Sequence, residues 1–109
     1  MIIDDINIQR SRTGEVITTV DTVTDWTNLN AKMYIAEDFG GTPIVTLDGS
    51  IDDQTNEITF GYDTEDTALL TEDRYVYEIV VYDSGKIFVQ TVNEGTVFVV
   101  SVIKSDPTV

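Results

Sequence analysis

Two groups of carboxylates are the densest sets of side chains in this chain that could do chemistry: Asp48, Asp52, Asp53 and Glu57, and then Asp63, Glu65 and Asp66. Calcium suits such groups, because it accepts carboxylate and carbonyl oxygens from flexible loops. Neither group has the spacing and central glycine of the twelve-residue calcium loop, and Asp in a turn bonds its own backbone without any ion. Calcium is thus the one metal to weigh, solvated acidic turns are the simpler account, and no cofactor is expected. Paired carboxylates could also hydrolyse a glycosidic bond, but only in a cleft that raises the pKa of one of them, which short strands with tight turns seldom build. Histidine and cysteine are both absent, which removes the usual general bases, nucleophiles and transition-metal ligands at neutral pH. Ser84, Ser101 and Ser105 therefore have no histidine to activate them. Gly40 and Gly41 precede Pro43 with no lysine or helical pattern after them, so they read as a turn rather than a phosphate cradle. The chemistry points away from an enzyme.

The elements that would position these residues belong to one small domain spanning 1–109. The chain has 109 residues, 41% of them hydrophobic, enough to bury a two-layer core. Twenty acidic residues against six basic ones give a net charge of −14, spread along the whole sequence. Nucleic acid is excluded as a partner, since displacing counterions from a phosphate backbone needs clustered Lys or Arg. Anionic membrane surfaces are disfavoured by the same repulsion. Without cysteine there are no disulfides, so stability must come from packing. The start, MIIDDINIQRS, has aspartates where a secretory signal needs an apolar core, and no run reaches membrane-spanning length. The expectation is a chain made in the cytoplasm.

From residue 74 the sequence alternates as a half-buried strand, with Tyr75, Tyr77, Ile79 and Val81 on one side and Val76, Glu78, Val80 and Tyr82 on the other. Asp83, Ser84 and Gly85 break it and KIFVQTV resumes, which predicts a hairpin. Asn93, Glu94 and Gly95 predict a further turn into TVFVVSVIK. INIQ, EVITTV, NAKMYIAE, PIVTL and NEITFGY are shorter runs at the spacing of sandwich strands, whereas FGGTP and DGSIDDQTN, residues 48–56, read as loops. DTEDTALLTED, residues 63–73, lacks alternation, and Thr64 with Thr67 supplies half of a capping signature, so one helical turn is predicted there. The pattern fits an all-β, immunoglobulin-like antiparallel β-sandwich of about seven to nine short strands, with that helical turn leading into the Tyr75 strand. Tyr75 would tie back to the corner through its hydroxyl. Tyr77 lies where an antibody domain has its second cysteine, and Trp26 would plug one end of the core.

The last strand departs from the wet-face pattern. Val97, Val99 and Ile103 fall on one side and Phe98, Val100 and Val102 on the other, leaving little polar alternation. Either the N-terminal segment MIIDDINI covers the second face, or another subunit does, in which case Phe98, Val100 and Val102 form a protein interface. A different outlet for the tyrosines is sugar binding, with exposed Tyr34, Tyr62 and Tyr82 stacking on pyranose rings.

With these residues in place the chain resembles the small immunoglobulin-like virion proteins of tailed bacteriophages and prophages, and distantly the N-terminal module of phage upper-baseplate proteins. The resemblance rests on Ala31, Met33 and Ile35; Gly40 and Gly41; Glu65, Asp66, Thr67, Ala68 and Leu70; Arg74, Tyr75, Tyr77 and Ile79; and Glu94, Gly95, Val97 and Val99. It spans about residues 30–102 and departs from the family's compact Leu-Thr-Gly-Ala lead-in, where this chain has Trp26 to Ala31. The resemblance implies a non-enzymatic component of the particle exterior, a capsid decoration or cement protein or else a neck, tail or baseplate accessory. Its partners would be other virion proteins, or further copies of itself.

Overall fold

The computed structural model describes residues 2–85 and 87–100. Eight strands and one short helix follow in order: β1 (Ile2–Ile3), β2 (Ile6–Gln9), β3 (Gly14–Thr19), β4 (Leu29–Ala36), β5 (Val45–Asp52), β6 (Glu57–Tyr62), α1 (Thr64–Ala68), β7 (Arg74–Asp83) and β8 (Val89–Val100). The hydrogen-bonded path runs β1-β8-β7-β4-β5-β6-β3, with β2 also on β8. It folds into two layers within β5, where Val45 to Asp48 pair with β4 and Gly49 to Asp52 pair with β6. The result is an all-β, immunoglobulin-like sandwich, with β2, β8, β7, β4 and the first half of β5 in the larger layer, and the second half of β5, β6 and β3 in the smaller.

The core lies where the inward sides of the layers meet. Tyr75, Tyr77, Ile79 and Val81 from β7 are buried with Met33 and Ile35 from β4, Ile58 and Phe60 from β6, and Val97 from β8. Alternation on β7 and β4 produces this directly, because successive side chains point to opposite faces. Trp26 is buried in the same cluster, and its indole N–H donates to Asn56 Oδ1 at 3.0 Å. Asn56 sits in the β5–β6 turn at a φ of 56°, a left-handed conformation that Asn tolerates.

Four expectations are corrected. Residues 48–52 are strand, not loop: Thr46, Asp48, Ser50 and Asp52 face solvent, and the inward positions between them include Gly49. A Cβ on Gly49 would press on Ile58, Phe60 and Ala31, so glycine is what lets the strand cross between layers. No turn interrupts β8 at Asn93 to Gly95. A register shift opposite Ile79 and Val80 absorbs the irregularity, and Asn93 is buried in the core rather than exposed in a loop. The helix cap is Asp63, not Thr64: Asp63 Oδ1 accepts from Asp66 N–H and Asp66 Oδ2 from Asp63 N–H, both at 2.9 Å, a reciprocal capping box. The Thr67 hydroxyl instead donates to Thr64 O and accepts from Ser11 N–H. Finally, the N-terminal segment does not cover the second face of the last strand. It lies edge-on along β8, in parallel, with Ile6 opposite Val97 and Gln9 opposite Val100.

Candidate functional site

Tyr75 is buried at the start of β7, and its hydroxyl accepts the backbone N–H of Glu72 at 2.8 Å, fastening the segment after α1 to the strand. Tyr77, two residues on, faces the smaller layer. Its hydroxyl donates to the Asp4 carbonyl at 2.9 Å and to Asn93 Oδ1 at 3.1 Å, and Asn93 Nδ2 donates to the Thr18 hydroxyl at 2.6 Å. One chain of polar groups thus joins the N-terminal strand, β7, β8 and β3 where a cysteine-bearing relative of this fold would carry a disulfide between layers. Burial, with a smaller contribution from the charges of Asp4, Asp5 and Glu94, pushes the Tyr77 phenol up to about 12. These groups tie the elements of the fold together.

Four carboxylates of the two acidic groups are engaged locally. Asp48 lies 3.8 Å from Lys32 Nζ, Asp52 Oδ1 accepts Gln54 N–H at 3.0 Å, and Asp63 and Asp66 are the helix cap. Among the described residues no three carboxylates gather in a way that could hold a metal ion.

The outer face of the larger layer carries the apolar surface. On β7, Val76, Glu78, Val80 and Tyr82 point outward; on β4 their neighbours are Ala36, Tyr34, Lys32 and Asn30. On β8, Thr96 stands beside Val76, Phe98 beside Arg74 and Val89 beside Tyr82. Lys32, Tyr34, Val80, Tyr82 and Val89 line a depression of about 240 Å³. Val89 and Phe39, at opposite ends of the face, are each 58% exposed, and Ile87 in the adjoining loop is 92% exposed. A layer whose inner side is already packed has no internal reason to keep valine and aromatic rings on its outer side.

The residues expected to form the interface fall at the rim of this face. Phe98 is half-buried with the Arg74 guanidinium 5.5 Å from its ring centroid, Val100 is 41% exposed, and Val102 lies outside the described residues, as does Ile103. The three-ring sugar platform does not form. Tyr34 and Tyr82 share the outer face, but Tyr62 is buried on the smaller layer against Gly14, because its position in β6 points inward opposite β3. The centre of the face, Val76, Val80 and Tyr82, was open to detection in the sequence. Between Val76 and Tyr82 only Glu78 interrupts the apolar outer side of β7, the same lack of polar alternation that marks the last strand.

Layer composition, the crossing of β5 and the parallel N-terminal strand place the chain among immunoglobulin-like β-sandwiches whose larger layer offers a broad outer face. No protein-family model matches the sequence, and no curated protein matches it.

Proposed function

We propose that this protein is a non-enzymatic structural component of a tailed-phage particle, made in the host cytoplasm and docked on the virion exterior. Its role would be that of a capsid decoration or cement protein, or else of a neck, tail or baseplate accessory. The observation that carries the proposal is the apolar outer face of β8, β7 and β4, with Val76, Tyr82 and Val89 directed away from the packed core and Val80, itself only 8% exposed, set between them. The resemblance of residues 30–102 to small virion proteins supplies the setting. The charge of −14 selects for a lattice protein that presents basic groups, and repeated attachment makes modest contacts sufficient.

Sugar binding is the second reading, favoured by Tyr34 and Tyr82 flanking one depression on that face. Co-sedimentation separates the two. Under the docking proposal the protein travels with purified particles, Val89→Asp and Val100→Asp stay folded but remain in the supernatant, and rising salt releases the wild type. Signal on a glycan array, lost in Tyr82→Ala, together with no co-sedimentation, would favour the sugar reading and overturn docking.

A further inference from the structure

Toward the Phe39 end of the outer face, the segment after β4 turns back and forms one wall of an open cleft of about 270 Å³. Tyr34, Phe39, Pro43 and Val76 line it together with two carboxylates, Asp38 and Glu78. Glu78 stands opposite Tyr34 on β4 and opposite Glu94 on β8. Like charges directly across a strand pair are destabilising, and among the described residues no basic side chain pairs with either. Of the basic residues on the face, Lys32 is turned to Asp48 and Arg74 lies over Phe98. Among the described residues no ion pair reaches Asp38, Glu78 or Glu94.

We propose that this cleft is the socket for one arginine side chain of the protein on which the domain docks. The inference rests on the docking reading and names the partner chemistry of that face. A cleft of about 270 Å³ has room for one long side chain. Aromatic residues beside carboxylates match a guanidinium, which stacks on ring faces, presents a planar fork of donors and gives up its hydration more readily than an ammonium. An arriving cation would relieve the Glu78–Glu94 repulsion on binding, so the local electrostatics and the net charge of −14 favour the same occupant.

The test uses the isotope-labelled whole chain and two small probes, N-acetyl-arginine amide and its neutral isostere N-acetyl-citrulline amide, followed by NMR. For a probe of about 15 non-hydrogen atoms a Kd of about 1 mM is expected, from the affinity per atom of well-fitted ligands. Saturable shifts should centre on the amides of residues 34–41 and 76–78. Citrulline should bind roughly tenfold more weakly, as should arginine to Glu78→Gln, each having lost a charge-assisted contact. Glu78→Gln should remain folded and melt no lower than wild type, since it removes the repulsion with Glu94. Absent shifts, equal binding of the two probes, or undiminished binding to Glu78→Gln would overturn the socket. Failure of the docking reading is seen separately. If Val89→Asp prevents co-sedimentation while Glu78→Gln does not, docking stands and the socket is refuted; if the wild type never co-sediments, the docking reading itself falls.

Discussion

Removing the hydroxyl of Tyr77 tests how the two layers are joined without a disulfide. In Tyr77→Phe the ring still fills its core position, but Asn93 Oδ1 and the Asp4 carbonyl lose their shared donor. A hydroxyl has one proton, so the loss amounts to about one hydrogen bond plus a buried acceptor left unpaired, ~2 kcal/mol. A chain of this length has an unfolding entropy near ~0.23 kcal/mol/K, which converts that loss into a fall in Tm of about 9 °C. The pH dependence provides a second, sharper reading. The folded-state pKa, raised to about 12, exceeds the unfolded value, so the unfolded chain gives up its proton first as pH rises. The stabilisation from keeping Tyr77 neutral is therefore complete below about pH 10 and is lost as pH rises toward about 12, at ~1.4 kcal/mol per pH unit. The phenylalanine variant has no such loss, and the two stability curves should converge in that window. Thermal melts at about pH 8, and urea denaturation in steps to about pH 11.5, both followed by circular dichroism, measure the two effects. Equal Tm values at neutral pH, or curves that stay parallel into the alkaline range, would refute the polar linkage.

Two further perturbations probe the frame around the outer face of the larger layer. Tyr75→Phe removes the acceptor of the Glu72 N–H and should cost about 1 kcal/mol, seen as a Tm lower by about 4 °C; an unchanged Tm would mean that the hydroxyl does not secure the corner. Gly95→Ala places a methyl group against the carbonyl oxygen of Asp4, which also donates its N–H to Glu94 O. The N-terminal strand should detach from β8 and lose amide-exchange protection over Ile6 to Gln9 while β7 and β4 keep theirs; retained protection would contradict the close approach.

How much of this could be read in the sequence depends on whether the deciding partner is near or far along the chain. The alternation of β7 is local, so its buried and outward sets follow from Arg74 to Asp83 alone. The helical turn is local too, but its cap is one residue earlier than the sequence predicts, because Asp63 and Asp66 satisfy each other in a way that composition alone does not distinguish from Thr64 with Thr67. Asn93, Glu94 and Gly95 have the composition of a turn, yet they are strand because of residues up to 91 positions away. Tyr77 and Thr18 give the Asn93 amide its partners, and Asp4 needs the space that a side chain on Gly95 would take. Gly49 likewise reads as a loop glycine until β6 is paired beside it, with the Ile58 and Phe60 side chains where a Cβ would sit. The outer face of β7 was legible as a pattern, but its continuation through Tyr34 of β4 and Val89 of β8 depends on strand order, which periodicity does not encode.

Whether the outer face of the larger layer docks on a phage particle is tested most directly by mass spectrometry of intact particles separated into heads and tails, with wild type and Val89→Asp compared. The account predicts that the wild-type chain is found in one of the two fractions at a fixed ratio to a lattice protein, and that the variant, though folded, is missing from both. A wild-type chain absent from purified particles, or a variant retained at the wild-type ratio, would contradict it.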